Sequence, residues 1–235
     1  MKLARFNEHV VRQLFQEPWS LEIFLRSLGY KYVCGVDEVG TGAIFGPVVA
    51  CAVVFNLNKL DTSLALKDAK ELTPKARIEA YERVKGVIYA VEVSVVEIDE
   101  INEVQNVMAI GALARSRAVQ AIKPHLKDKN VVYLVDHFHV PECGLEQLNI
   151  TRGDTLVQTI TAAGIYGKYT RDRIIDSILE EHPEWECYGL KANKGYRSRQ
   201  HLNAIREKGL TPQHRFYMRE VAQIIQDREW KEVRE

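Results

Sequence analysis

The sequence has no long hydrophobic run, no paired cysteines and no net charge, and each lack closes off a class of protein. Its 235 residues carry 32 Lys and Arg against 32 Asp and Glu. No stretch approaches the ~20 consecutive apolar residues that cross a bilayer. Lys2, Arg5, Glu8, Arg12, Glu17 and Glu22 interrupt the first 30 residues, so a secretory leader is not expected either. The expectation is a cytoplasmic protein with no membrane partner. Cys34, Cys51, Cys143 and Cys187 lie far apart with no Cys-x-x-Cys, so neither a zinc knuckle nor a redox pair is signalled and free thiols in a reducing compartment are expected. Repeats and low-complexity tracts are missing as well. With 46% hydrophobic and 27% charged residues, the chain has the composition of a globular protein large enough to bury a substantial core. Nothing calls for an obligate oligomer, and a monomer is expected.

The zero net charge conceals an asymmetry. From Cys187 to Arg219 there are eight Lys or Arg and one acid, Glu207, a local excess of seven positive charges. A polyanion is the natural partner of such a face, although solvated basic surfaces without a partner are common.

Periodicity gives an α/β order. Residues 8–29, broken by Pro18, predict two short amphipathic helices, an extension over 1–30 ahead of a main domain over 31–235. Tyr32–Val36 and Pro47–Phe55 read as strands joined through a glycine-rich link, and Val87–Val96 as a third. A long helix over Asp99–Ile122 and a buried strand over Val131–Val135 follow. Thr155–Glu181 reads as a helix with Asp154 as its N-cap. Gly164 and Gly167 inside it suggest another backbone close by. Ser198–Lys208 and Val221–Trp230 predict the last helices. The order implies a mixed sheet with helices on its faces.

Acids stand where strands end. Asp37 and Glu38 follow one apolar strand and precede Gly40-Thr41-Gly42, and Asp136 closes another, VVYLVD. Neighbouring strand residues point to opposite faces, so Asp37 and Glu38 share a site only if the strand ends or bulges there. Each acid alone reads best as a solvated strand end. Several at the tips of buried strands suit a pair of hard divalent cations, which need rigid oxygen ligands with room for water and phosphate oxygens. Gly40, Gly42 and Gly46 miss the dinucleotide fingerprint by one residue, and no P-loop pattern is present. His137, His139 and Cys143 lack a fourth ligand for zinc.

The blocks GVDEVGTGAIFGPVVACAVV, LKDAKELT, IDEINEVQNVMA, VVYLVDH, RGDTLVQTITAAGIYGKYTRDR, NKGYRSRQH and GLTPQHRF together resemble ribonuclease HII, in that family's order over residues 33 to 219. The resemblance implies a ribonuclease H-like fold, a mixed five-stranded sheet flanked by helices with a C-terminal helical part. It implies a metal-dependent endonuclease that cuts the RNA strand of RNA–DNA hybrids, with duplex DNA containing single ribonucleotides as a further candidate substrate. Two Mg²⁺ or Mn²⁺ ions on Asp37, Glu38, Asp136 and Asp154 would leave 3′-hydroxyl and 5′-phosphate ends. It further implies nucleic-acid contacts at Gly40, Thr41, Gly42, Lys70, Lys168, Arg171, Lys194, Tyr196, His214 and Arg215, with Tyr196 packing on a sugar of the DNA strand.

Three departures stand out. Gly40-Thr41-Gly42 replaces the usual Gly-Arg-Gly and is similar to ribonuclease HIII instead, which bears on recognition of single ribonucleotides. That family carries an N-terminal substrate-binding domain for which 30 residues are too few, and usually a glutamate where this chain has Asp154. Ala69 and Gly164 replace serines common in ribonuclease HII. The alternative function is a hybrid-binding protein with little catalysis.

Overall fold

In the computed structural model, residues 17–127, 129–140 and 146–232 are described. The first half of the amphipathic extension and the candidate zinc ligand Cys143 lie outside them. The elements are α1 (Ser20–Ser27), β1 (Tyr32–Val39), β2 (Val48–Asn56), α2 (Pro74–Val87), β3 (Ala90–Val96), α3 (Ile98–Val104), α4 (Val107–Ile122), β4 (Val131–Asp136), β5 (Gln147–Ile150), α5 (Gly153–Leu156), α6 (Gln158–Glu181), α7 (Leu190–Asn193), α8 (Arg199–Lys208) and α9 (Arg219–Glu232). No helix among the described residues is long and apolar enough to cross a membrane.

The strands form one mixed sheet in the order β3-β2-β1-β4-β5. β1 runs antiparallel to β2 and parallel to β4, and β4 runs parallel to β5. β2 is buried along nearly its whole length, which fits its continuous apolar run VVACAVVF. β5 was not foreseen, because its polar–apolar alternation, QLNI, runs for only four residues.

The chain divides into two compact units. One takes in the chain up to Val39, Val49–Ser94 and Ala112–Tyr169, and the other Gly40–Val48, Val95–Gly111 and the chain from Thr170 on. The first unit is built on a core of Trp19, Leu25, Val33, Val53, Phe55, Val132, Leu134 and Ile160 among others. Within it the buried carboxylate of Glu22 accepts from the backbone N–H and the hydroxyl of Thr159, both at 2.8 Å, and so caps the start of α6. The second unit has its own core, with Ile44, Phe45, Ile175, Leu190, Ile205 and Val221.

Three local expectations are corrected. The single helix over 99–122 is two, because Gln105 turns left-handed at φ 51° and Asn106 Oδ1 caps α4 by accepting from the N–H groups of Met108 and Ala109. Asp154 does not cap the long helix; it lies in the separate turn α5, and α6 starts at Gln158. The close backbone approach is at Gly35 of β1, where a Cβ would lie 2.2 Å from the Thr159 carbonyl oxygen, whereas Gly164 faces the Asp37 carboxylate and Gly167 the side chains of Val39 and Cys51.

Candidate active site

Parallel pairing sets the ends of β1 and β4 side by side, the last pair in register being Val36 with Val135. Asp37 and Asp136 are the next residues of the two strands, so distant stretches of sequence deliver carboxylates to the point where this pairing stops. Asp136 is at the end of β4 and Asp37 within β1, which runs on beside β2 to Val39 rather than ending before the acids. β5 extends the arrangement. Ile150 pairs with Asp136, and a left-handed Arg152 at φ 59° turns the chain into α5, which carries Asp154. Asp136 Oδ1 accepts the Gly153 N–H at 2.7 Å and ties the two segments together. The Thr161 hydroxyl donates to the Asp154 carbonyl at 2.8 Å.

These acids sense one another. Burial raises Asp37 well above the usual carboxylate range, and the charges of Glu38, Asp136 and Asp154 raise it further against the pull of Lys70. Asp136 is raised by burial and by Asp154, opposed by the N–H groups of Gly153 and Asp154. Two cations offset the repulsion. Lys70 Nζ lies 2.5 Å from Asp154 Oδ2, and Arg115 Nη1 lies 2.7 Å from Glu38 Oε2. The second contact is short but misaligned, since Glu38 Oε2 accepts no well-directed hydrogen bond and Arg115 Nε is buried without an acceptor. The Arg115 guanidinium also lies over the Phe138 ring at 5.0 Å. Burial raises Glu38, and Arg115 opposes the rise.

Glu38 does not join its neighbour through a bulge. β1 keeps regular register with β2 through Val39, with Asp37 opposite Cys51 and Glu38 opposite Ala50. Asp37 lies under Gly164 of α6, and Glu38 turns to Arg115 of α4. Among the described residues, no three His, Cys, Asp or Glu side chains converge closely enough to hold an ion as they stand.

The second unit contains the glycine loop and most of the basic residues singled out from the sequence. Arg215 holds the loop from inside: Nη1 donates to the Gly40 and Thr41 carbonyls at 2.7 and 3.2 Å, and Nε and Nη2 to the Gly46 carbonyl at 2.9 and 2.6 Å. Arg171 donates to the carbonyls of Pro47, Phe45 and Lys194 at 2.8–2.9 Å. Gly40, at φ 95°, must be glycine, because a Cβ there would lie 2.2 Å from Arg171 Nε. The Arg171 guanidinium also sits over the half-buried Tyr196 ring at 5.2 Å.

The phosphate-facing expectation for several of these residues is therefore corrected. Arg171 and Arg215 are 0% exposed and His214 is 2% exposed, with their donors committed to the protein, so they brace the loop from within. Lys194 is ion-paired with Asp176. Lys70 is exposed and engaged with Asp154, Lys168 is half-buried on α6, and Thr41 is partly exposed in the loop. Two residues were missed. Arg115 lies in ALARSRAV beside a second arginine, Arg117, and the sequence does not mark which of the two is buried against a counter-charge. His201 closes the block NKGYRSRQH, but a single buried histidine has no signature of its own.

A family model described as ribonuclease HII matches residues 34–221. The chain belongs to the ribonuclease HII family. A ribonuclease HII of Geobacillus kaustophilus is 33% identical over 231 residues, covering 95% of this chain and 84% of that one. One of Polaromonas is 36% identical over 193 residues, covering 82% and 92%. Among solved structures, a ribonuclease H2 from Pyrococcus horikoshii superposes with a TM-score of 0.68 at 24% identity, covering 83% of this chain and 98% of that one. Bst ribonuclease HIII in complex with Mn²⁺ superposes with a TM-score of 0.69 at 18% identity, covering 90% and 74%. Membership of the ribonuclease HII family makes the chain an enzyme, an endonuclease of the ribonuclease H type, and the five-stranded mixed sheet agrees with it.

Proposed function

We propose that this ribonuclease HII family member hydrolyses the RNA strand of RNA–DNA hybrids with the help of divalent cations, Mg²⁺ or Mn²⁺, held by Asp37, Glu38, Asp136 and Asp154. The observation that carries the reading is the gathering of acids where β1 pairs with β4, with Asp37 on β1, Asp136 at the end of β4 and Asp154 on the turn that the Gly153 N–H ties to Asp136. Buried like charges that raise one another's pKa are costly alone and are relieved by a cation, and carboxylate oxygens are the donors that hard divalent ions prefer. The donor set therefore fits such ions, and Bst ribonuclease HIII has been solved with Mn²⁺.

Bound cations would supply activation of water and charge stabilisation at the phosphodiester, leaving 3′-hydroxyl and 5′-phosphate ends. The chain's own residues do the rest. Gly153 N–H fixes the Asp136 carboxylate, Arg115 holds one Glu38 oxygen, and the Asp37 carboxylate lies against Gly164 without a side chain between them. Tyr196 and the Gly40–Gly42 backbone are the nucleic-acid contacts, and Lys70 and Lys168 face phosphate. Thr41 offers no guanidinium to a lone ribonucleotide, so continuous hybrids are the favoured substrate.

The test is cleavage of two labelled duplexes, a uniform hybrid and DNA with one ribonucleotide, in Mg²⁺ or Mn²⁺, by wild type and Asp136→Asn. Cutting of the hybrid, lost in the variant, is expected. Binding of hybrid with no metal-dependent cutting of either duplex would replace the enzymatic mechanism with hybrid binding.

A further inference from the structure

Away from the carboxylates, the second unit buries two histidines against each other. His201 Nε2 lies 3.0 Å from His214 Nε2, and the residues are 0% and 2% exposed. Two ring nitrogens at that distance share one proton, so one ring donates and the other accepts. The flanking contacts decide which. The Thr211 backbone N–H and hydroxyl both lie 2.9 Å from His214 Nδ1; the backbone N–H can only donate, so that nitrogen accepts and the proton of His214 is on Nε2. His214 therefore donates to His201, whose own proton must be on Nδ1. That nitrogen lies 3.1 Å from the Tyr196 carbonyl and donates to it.

The result is one directed chain from the Thr211 N–H through both rings to the Tyr196 carbonyl. It accepts only the two neutral, opposite tautomers, because an imidazolium donates from both nitrogens and would set two donors face to face. The aromatic rings of Phe45 and Tyr188 lie 5.1 and 4.9 Å from His214, the Asn102 amide donates to the His214 carbonyl at 3.0 Å, and the charged neighbour in sequence is Arg215. Burial holds the rings at about 4 and about 3, well below the usual histidine value.

The chain ends at a residue already held from two sides. The Tyr196 ring lies beneath Arg171, and its carbonyl also accepts the Ser198 N–H at 2.9 Å. The dipeptide His214-Arg215 thus serves two elements, the first residue bracing Tyr196 through His201 and the second bracing the carbonyls of Gly40, Thr41 and Gly46.

We propose that His201 and His214 are positioning residues that set Tyr196 for the nucleic acid by a fixed chain of neutral tautomers. The proposal rests on the reading of Tyr196 as a nucleic-acid contact. It is tested on the full chain carrying Asp136→Asn, so that nothing is cut, by fluorescence anisotropy with a labelled hybrid in EDTA. Base–aromatic stacking is worth about tenfold or more in affinity, and for a ring that packs on a sugar Tyr196→Ala should weaken binding by up to about tenfold. His201→Phe should cost a similar factor, and the double variant no more than the larger single one. His201→Asn, which keeps a donor near the Nδ1 position, should recover most of the loss.

Multiplying losses in the double variant, or no loss in His201→Phe, would overturn the positioning role. No loss in Tyr196→Ala would instead overturn the nucleic-acid reading of Tyr196, and the proposal with it. Should His201→Phe not fold, ring ¹⁵N shifts of the wild type at neutral pH decide: His214 protonated on Nε2 and His201 on Nδ1 supports the chain, and equal tautomers or a charged ring refutes it.

Discussion

The ammonium of Lys70 lies 2.5 Å from Asp154 Oδ2, with the lysine side chain 76% exposed and the aspartate side chain 12% exposed. In the proposed metal site, a cation arriving at Asp154 must replace this one. An exposed ion pair contributes at most about 1 kcal/mol. Lys70→Met should therefore bind Mn²⁺ up to about fivefold more tightly in isothermal titration calorimetry, and an unchanged or weaker affinity would show that Lys70 does not compete. Saturating Mn²⁺ should stabilise the wild type by about 3 kcal/mol at a hundredfold excess over Kd, and Asp136→Asn should lose most of that gain in a thermal scan.

Two glycines of the first unit separate folding from site geometry. A Cβ on Gly35 would lie 2.2 Å from a backbone oxygen of α6, which cannot move without shifting the helix. Gly35→Ala should cost about 3 kcal/mol or more in urea unfolding. A Cβ on Gly164 would instead meet Asp37 Oδ2 at 2.6 Å, the free end of a side chain. Gly164→Ala should keep the fold and weaken Mn²⁺ binding by displacing that carboxylate.

Arg215 is replaceable by no other cation. Its planar fork reaches the carbonyls of Gly40, Thr41 and Gly46 at once, with two bonds to Gly46, whereas a lysine could not match that geometry and would weaken the hold on the buried Gly46 carbonyl above all. Arg215→Lys should destabilise the protein by about 3 kcal/mol and weaken hybrid binding. Arg199→Gln, at the exposed start of α8, should leave stability within about 0.5 kcal/mol of wild type.

Acid should destabilise the protein through the histidine pair. With folded values of about 4 for His201 and about 3 for His214, against about 6.5 unfolded, the unfolded chain binds more protons between those limits. Stability is then lost as pH falls from about 6.5, by up to about 1.4 kcal/mol per pH unit for each ring. The raised acids Asp37, Glu38 and Asp136 act with the opposite sign, favouring the fold at low pH and losing that contribution as pH rises through their folded values. They are common to wild type and His214→Asn, so they cancel in the difference. Urea midpoints at pH 7 and pH 5 should fall more in the wild type than in His214→Asn; equal falls would show that His214 titrates normally.

Asp37, Glu38 and Asp136 were legible as candidates because acids directly after a buried apolar run have no packing reason to be there, whereas Asp154 reads as a helix cap and stood out only through the family resemblance. Legible too were most elements whose apolar residues recur over many positions, such as β2 and α6. The break between α3 and α4 was not, since Asn106 continues the polar face while its side chain caps a new helix. Nor was the use of Arg171, Arg215 and His214, because a basic segment has the same composition whether its donors face solvent or the protein's own carbonyls.

By itself the sequence determined most of the strands and helices and the acids beside buried apolar strands, because these depend on local period and residue type, and its blocks marked the family. Only the tertiary structure decided that Glu38 turns to Arg115 while Asp37 lies under Gly164, that Lys70 reaches Asp154, and that two arginines hold the glycine loop from inside. Those outcomes depend on strand register and on which donors burial leaves without water. A buried guanidinium must find acceptors within its reach, and here the carbonyls of a glycine loop from the other end of the chain supply them.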